Sequence, residues 1–235
     1  MMEYSKLLED LFTQVAESGA SDLHLAVGRH PVLRVSGQLM PLAKKPILTA
    51  EDTASAVEFM LGKDVFKVFV EEREKDFAYS FKDKIRFRIN AYFQKGFIGV
   101  AFRVVPVKIR TIAELNLPQI ITDFSKREQG FFLVVGPTGH GKSTTLASLV
   151  DIINHTRSEH IITIEDPIEY LFTQDRSIID QREIGLDTKN FSTALRSMFR
   201  EDVNVAMIGE MRDHETMAAA VTAAETGHLV LSSLH

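Results

Sequence analysis

A glycine-rich segment directly behind an apolar run constrains the fold more than any other part of this chain. The segment is GPTGHGKSTT, residues 136–145, and the run before it is FFLVV. Its glycines, lysine and first serine fit the pattern G-x-x-x-x-G-K-[ST]. Glycines let the backbone turn several N–H groups toward one point, and a following helix adds the positive end of its dipole. The segment is therefore predicted to bind phosphate groups between a strand and a helix.

The flanking sequence supports this prediction, because apolar residues recur behind the segment at helical spacing. A plain glycine-rich turn is the alternative, and it does not explain a match in both sequence and context. Nucleotide binding is expected through Gly136, Pro137, Thr138, Gly139, His140, Gly141, Lys142, Ser143 and Thr144. Lys142 would contact the outer phosphates of ATP, and Ser143 would be a ligand of Mg²⁺.

Acidic residues follow the next two apolar runs along the chain. TIEDPIEY closes the run HIITI and carries Glu165, Asp166 and Glu169, while Glu210 ends the run VNVAMIG. In parallel sheets, ligands bind at the carboxyl ends of the strands. A carboxylate there can hold the water shell of a metal ion, which is a further candidate role for Glu210. A solvated acidic turn is the alternative for TIEDPIEY, and the phosphate-binding segment makes it the weaker one.

A fourth apolar run, HLVLSSL, lies between His228 and His235. Buried histidines with satisfied hydrogen bonds are the better interpretation of either residue alone. Their position beside a central strand makes both candidates for nucleotide contact. The four runs alternate with helical segments, a pattern that predicts a parallel sheet with crossover helices.

The residues before position 106 follow a different pattern. Helical spacing predicts a helix over residues 3–18, and Thr49 is expected to cap a second helix. PVLRVSGQLMPL is interpreted as one strand bent at its Ser-Gly pair, and the alternating run KIRFRINAYF predicts part of an antiparallel meander. Two prolines and weak periodicity indicate a linker over residues 106–118. The expected domains are therefore 1–105 and 119–235.

Three arginines, Arg86, Arg88 and Arg103, lie on the predicted N-terminal strands. Such residues usually form a solvated strand face. An ATPase whose neighbouring subunit completes the site needs cations from elsewhere, because charge builds up on the γ-phosphoryl oxygens. These arginines are therefore also candidates for nucleotide binding.

Composition narrows the class of protein and its partners. The 235 residues carry a net charge of −5, which does not favour a general affinity for nucleic acid. The chain contains no cysteine, so disulfides and thiolate zinc sites are excluded. No signal peptide and no run of about 18 apolar residues is visible. We expect a cytoplasmic protein that reaches membranes only through a partner, without direct insertion.

Four motifs in order resemble the Walker A, Asp, Walker B and His boxes of the secretion ATPase superfamily. They are GPTGHGKSTT, ITIEDPIEY, IGEMRD and AAETGHLVLSSLH. The segments ASDLHLAVGRHPVLRVSGQL and RFRINAYFQKG are similar to the N-terminal domain of the same family. The similarity covers nearly the whole chain and favours the PilT-like branch, the retraction ATPases of type IV pili. It implies an α/β fold, with a PAS-like α+β N-terminal domain followed by a RecA-like P-loop NTPase core.

By this resemblance, Glu169 activates water, Glu210 is the Walker B acid near Mg²⁺, and His228 and His235 are the His-box histidines. The family also supplies arginines to a nucleotide site from the strands that carry Arg86, Arg88 and Arg103. It works as a homohexamer at the cytoplasmic face of the inner membrane. There it drives pilus retraction, and so twitching motility, through a PilC-like platform protein.

Several alternatives stay open. The missing tetracysteine motif and the early start of the PAS-like part favour retraction over assembly or type II secretion ATPases, but a PilU-like accessory ATPase is harder to exclude. A nucleotide sensor without turnover and a small-molecule P-loop kinase are the other candidates. The family continues well beyond its His box, whereas this chain ends at His235, so a C-terminally truncated core is expected.

Overall fold

The fold is known from a computed structural model that describes residues 2–82 and 85–235. The chain forms two compact units, Met1–Val105 and Pro106–His235. Within the described ranges, no helix combines the length and apolar character needed to cross a membrane.

The first unit packs helices against one antiparallel sheet. Its helices are α1 (Met2–Ser18), α2 (Ala50–Leu61) and α3 (Lys63–Glu72). Its strands are β1 (Asp22–Ala26), β2 (Val32–Val35), β3 (Gln38–Pro41), β4 (Glu74–Phe81), β5 (Ile85–Gln94) and β6 (Phe97–Val105). They form a six-stranded sheet in the order β3-β2-β1-β6-β5-β4. The predicted meander corresponds to β4, β5 and β6, which pair antiparallel in sequence.

Alternation along β5 divides the sheet into two faces. Phe87, Ile89 and Ala91 are buried, whereas the residues between them are only partly buried. Phe12 of α1 lies against this buried face, with its ring centroid 4.6 Å from that of Phe87. The inner face is therefore an aromatic core, and burial of such side chains is the main stabilising contribution to the unit.

Two local predictions have different outcomes. Thr49 caps α2 as expected: its side chain accepts the Asp52 N–H while the Asp52 carboxylate accepts the Thr49 N–H. The prediction of a single bent strand was wrong, because PVLRVSGQLMPL forms a hairpin of β2 and β3. Ser36 and Gly37 have φ of 48° and 82°, which are turn values that reverse the chain.

The second unit is a parallel sheet with helices on its faces. Its strands are β7 (Gly130–Val135), β8 (His160–Glu165), β9 (Ile178–Glu183), β10 (Val205–Ile208) and β11 (Leu229–Leu234). Its helices are α4 (Lys142–Thr156), α5 (Phe191–Met198), α6 (His214–Glu225) and a 3₁₀ helix, Gln119–Lys126. The five-stranded sheet has the order β7-β11-β10-β8-β9, and every pair is parallel.

The sequence analysis did not predict β9. Residues 166–177 connect β8 to β9 without a helix. The apolar run FFLVV forms β7. β7 lies at an edge of the sheet in this structure, and Phe131 and Val135 are exposed. The strands buried on both faces are instead the interior ones, such as β10.

The segment 106–118 contains no helix or strand. It is bonded within the second unit at two points. The Leu171 N–H donates to the Pro106 carbonyl at 3.1 Å, and the Ser148 hydroxyl donates to the Arg110 carbonyl at 2.6 Å. The first of these bonds reaches the loop that carries Glu169, one of the predicted catalytic residues.

Candidate functional site

The carboxyl ends of four parallel strands bring the predicted motifs to one edge of the sheet. The glycine-rich segment follows β7, the acidic segment follows β8, Glu210 follows β10 and His235 follows β11. Backbone bonds join these ends: the Gly136 N–H donates to Leu234, and the Gly209 N–H donates to Ile164. Because all four strands run in the same direction, motifs far apart in sequence share this edge.

The phosphate loop has the backbone that its glycines were expected to supply. Gly139 and Gly141 have φ of 79° and 81°, in the left-handed region that residues with a Cβ rarely adopt. α4 begins at Lys142, directly after Gly141, and no described side chain caps its N-terminus. The N–H groups of its first turn are therefore available to an anion, which the helix dipole also favours.

Lys142 lies inside this loop, with 9% of its surface exposed. Its Nζ donates to the carbonyls of Gly136 at 2.7 Å and Pro137 at 3.2 Å. Thr138 and His140, at the tip of the loop, are exposed. The ammonium is thus held over the strand-to-loop junction, where it can approach phosphate oxygens that enter the loop.

The loop after β8 separates the acidic residues into buried and exposed ones. Glu165 is 4% exposed, whereas Asp166 and Glu169 are exposed. The Glu165 carboxylate accepts the Thr163 hydroxyl at 2.7 Å and the Glu169 backbone N–H at 3.1 Å. Burial raises the pKa of Glu165 to about 7, although these hydrogen bonds oppose the shift. Exposure therefore leaves Asp166 and Glu169, but not Glu165, accessible to a substrate.

Glu210 has a side-chain partner at each of its two carboxylate oxygens. Its Oε2 accepts the Nε–H of Arg212 at 2.9 Å, and its Oε1 lies 2.5 Å from Nε2 of His235. The same arginine reaches Asp166 at 3.4 Å. Arg212 therefore joins the acidic ends of β8 and β10, a role that its sequence position as a helix-flanking charge did not reveal.

The donor set at this edge suits Mg²⁺. Ser143 lies half-buried in the first turn of α4, and Glu210 provides a carboxylate. Across the part of the chain that the structure describes, no three histidine or acidic side chains cluster closely enough to hold a metal ion themselves. Magnesium typically takes one or two protein oxygens together with water and substrate phosphates, so these residues fit the ion.

The structure separates the two histidines. His228 precedes β11, and its carbonyl accepts the Gly130 N–H at the start of β7. Its ring contacts Phe199 edge-on at 5.6 Å. A strand of this length spans roughly 20 Å, so His228 lies at the edge of the sheet opposite to the phosphate loop. Nucleotide contact by His228 stays a prediction, whereas His235 lies at the edge of the sheet that carries the loop, beside Glu210.

The three candidate arginines lie in the first unit on the sheet face opposite to its aromatic core. Arg88 of β5 is paired with Arg103 of β6, and Arg86 precedes Arg88 near the start of β5. The Arg103 Nε–H donates to the carboxylate of Asp22 at 3.0 Å. Hydrogen bonds from Ser21 and Arg103 hold the pKa of Asp22 below its usual value, against the effect of burial. A role of these arginines in nucleotide binding stays a prediction.

Sequence reasoning also missed the side chains that hold the loop after β8. Gln181 of β9 donates to the Tyr170 carbonyl at 2.8 Å and accepts the Phe172 N–H at 2.9 Å. Glu183 of the same strand accepts the Ile168 N–H at 3.1 Å. IIDQRE carries no clear strand pattern, because four polar residues follow two isoleucines. These contacts become apparent only once the segment is known to be a strand beside β8.

Comparison with known proteins gives consistent matches. The family model of the Type II/IV secretion system protein matches residues 2–235. Two curated relatives come from Pseudomonas aeruginosa. The type IV pilus retraction ATPase PilT is 43% identical over 97% of this chain, and the type IV pilus ATPase PilU is 41% identical over 100%. The chain spans 66% and 60% of the lengths of these relatives.

A solved structure, the pilus retraction motor PilT with bound ADP, has a TM-score of 0.87 and 44% identity to this chain. The match covers 97% of this chain and 66% of that one. It confirms the predicted fold class, a RecA-like P-loop NTPase core preceded by a PAS-like α+β part. The antiparallel and parallel sheets described above correspond to these two parts.

Proposed function

The chain belongs to the Type II/IV secretion system protein family, and from that premise we propose that it is an ATP-hydrolysing motor subunit that powers retraction of type IV pili. The similarity to PilT supports retraction. The observation that carries the proposal is the meeting of the phosphate loop, the loop of Glu169 and the Glu210 carboxylate at one edge of the parallel sheet.

In this proposal the N–H groups of residues 139–143 surround the β- and γ-phosphates, and Lys142 contacts the γ-phosphate. Glu169 accepts a proton from the attacking water and orients it toward the γ-phosphorus. Ser143 and Glu210 would hold Mg²⁺, which would supply positive charge at the phosphate oxygens. Arg212 and His235 set the orientation of the Glu210 carboxylate through their contacts with its two oxygens.

The proposal extends to assembly and location. The motor acts as a homohexamer on the cytoplasmic side of the inner membrane and transmits force through a PilC-like platform protein. Arg86, Arg88 and Arg103 supply positive charge to a nucleotide site in this assembly. The proposed domains are the residues 1–105 and 119–235, joined by the segment 106–118.

The proposal is tested by measuring Mg²⁺-dependent phosphate release from ATP with the purified protein. Lys142→Ala is expected to abolish turnover, because it removes the cation at the phosphates. Glu169→Gln is expected to lower kcat by about 100-fold or more, the usual range for loss of a general base, while ATP binding is retained. Glu225→Gln is a matched control, because Glu225 is exposed at the end of α6, away from the phosphate loop.

Unchanged turnover in Lys142→Ala would refute the proposal. If the wild type bound ATP without hydrolysing it, and Glu169→Gln changed neither property, the protein would be a nucleotide sensor instead. Transfer of the phosphoryl group to a small acceptor in preference to water would indicate a kinase.

A further inference from the structure

The segment that carries Glu169 has no helix or strand to fix its position. Residues 166–174 lack regular secondary structure. General-base catalysis requires the carboxylate to stand within hydrogen-bonding reach of the attacking water. The position of Glu169 is therefore set by the groups that bind the backbone of this segment, which are the Pro106 carbonyl and side chains of β8 and β9.

Glu165, the last residue of β8, binds the backbone of Glu169 directly. Its Oε2 accepts the Glu169 N–H at 3.1 Å. Its Oε1 accepts the Thr163 hydroxyl at 2.7 Å and the Gln181 side-chain amide at 3.4 Å. Glu165 is 4% exposed, so water does not compete freely for these bonds. A fully buried acceptor thus connects a rigid strand to the amide of the exposed glutamate.

The next residue is anchored as well. The Gln181 side chain donates to the Tyr170 carbonyl at 2.8 Å. The Tyr170 hydroxyl lies 2.9 Å from the hydroxyl of Thr144, which belongs to the first turn of α4 beside Ser143. Glu169 is therefore held at its own amide by β8 and at its successor by β9 and α4. This arrangement fixes the segment relative to the phosphate loop.

We propose that Glu165 is a positioning residue for hydrolysis: its carboxylate, by accepting the Glu169 N–H, places the Glu169 side chain at the phosphate loop. This inference rests on the proposed ATPase function. Glu165 itself is buried and does not contact substrate. Displacement of a catalytic group by about 1 Å can cost about 100-fold in rate, so the loss of this bond is expected to appear in kcat.

Two substitutions separate the acceptor from the bulk of the side chain. Glu165→Met keeps a long unbranched side chain but removes the acceptor. Glu165→Gln keeps one carbonyl oxygen that can still accept the Glu169 N–H. We expect kcat to fall at least tenfold in Glu165→Met, with ATP affinity within threefold of wild type. Glu165→Gln should keep kcat within threefold, and the Glu169 amide should exchange with deuterium faster only in the Met variant.

Glu183→Met is the matched control. Glu183 is 5% exposed and accepts the N–H of Ile168, the neighbouring residue, also at 3.1 Å. The Ile168 side chain is itself buried and holds that residue in place. The control should therefore lose stability while keeping kcat within threefold. If Glu165→Met does not fold, Glu165→Asp serves instead, because its shorter side chain withdraws the acceptor from the Glu169 N–H.

The possible outcomes are distinct. A wild-type kcat in folded Glu165→Met, or an equal loss in Glu183→Met, would overturn the positioning role while ATPase activity stands. A loss of kcat in Glu165→Gln as large as in Glu165→Met would also overturn it, because glutamine can still accept the Glu169 N–H and that hydrogen bond would then not explain the loss. Turnover that is independent of Lys142 would instead refute the proposed function on which the inference rests.

Discussion

Replacing Glu165 by glutamine should raise the stability of the variant, relative to that of the wild type, as the pH increases from 5 to 8. In the folded protein, burial raises the pKa of Glu165 from 4.5 to about 7. The unfolded chain releases this proton near pH 4.5, whereas the folded chain retains it up to about pH 7. The stability associated with the protonated side chain is therefore fully present below pH 4.5 and is lost as pH rises through 7. Glutamine does not titrate, so the variant lacks this loss.

The size of the effect follows from the pKa change. Each tenfold change in proton affinity corresponds to about 1.4 kcal/mol, so the change from 4.5 to about 7 amounts to about 3 kcal/mol. Urea denaturation of both proteins at pH 5 and pH 8, followed by circular dichroism, gives the difference in unfolding free energy at each pH. All other titrating groups are shared, so their contributions cancel in the comparison.

We expect the stability of Glu165→Gln relative to wild type to increase by about 2–3 kcal/mol between pH 5 and pH 8. A relative stability that stays constant to within about 0.5 kcal/mol would refute the reasoning. Such a result would mean that Glu165 is ionised in the folded protein throughout this range. Its hydrogen bonds with Thr163 and the Glu169 N–H would then outweigh burial.

Substitutions at three further positions test the packing and local contacts. Phe12→Ala should lower the unfolding free energy of the first unit by about 3–5 kcal/mol, since a buried ring in contact with Phe87 is lost; urea denaturation measures this. Thr49→Ala should cost about 1 kcal/mol in the same assay, and Thr49→Ser should not, because serine preserves the cap. Tyr170→Phe should lower kcat several-fold without changing ATP affinity, since it frees the Glu169 segment from Thr144; an unchanged kcat would argue against that contact's importance.

Local sequence patterns were sufficient to predict those elements that depend on interactions between residues close in sequence. The glycines at 139 and 141 were readable because left-handed backbone requires them. Thr49 was readable because a cap needs only a hydroxyl and an acid three residues apart. The alternation in β5 was readable because a strand places successive side chains on opposite faces. In each case the cause and its structural effect lie within a few residues.

Pairing between distant segments was not readable in this way. The segment IIDQRE forms β9 because it pairs in parallel with β8. No crossover helix precedes it, so the sequence contains no helical pattern that would indicate a new strand there. FFLVV is apolar enough for an interior strand, yet β7 lies at an edge in the sheet order found here. The Ser-Gly pair in the second N-terminal strand marked a change of direction, but only the β2–β3 pairing distinguishes a hairpin from a bend.

The sequence by itself determined that this chain has a phosphate loop between a strand and a helix, followed by acids at strand ends. Only the tertiary structure decided which acid is buried, because burial depends on neighbouring strands: Glu165 of β8 is buried and accepts the Gln181 amide of β9, whereas Glu169 is exposed. It also placed His235 beside Glu210 and His228 at the opposite edge. The two histidines lie at opposite ends of β11, so the length of the strand separates them. Their closeness in sequence does not indicate which one lies at the edge of the sheet that carries the phosphate loop.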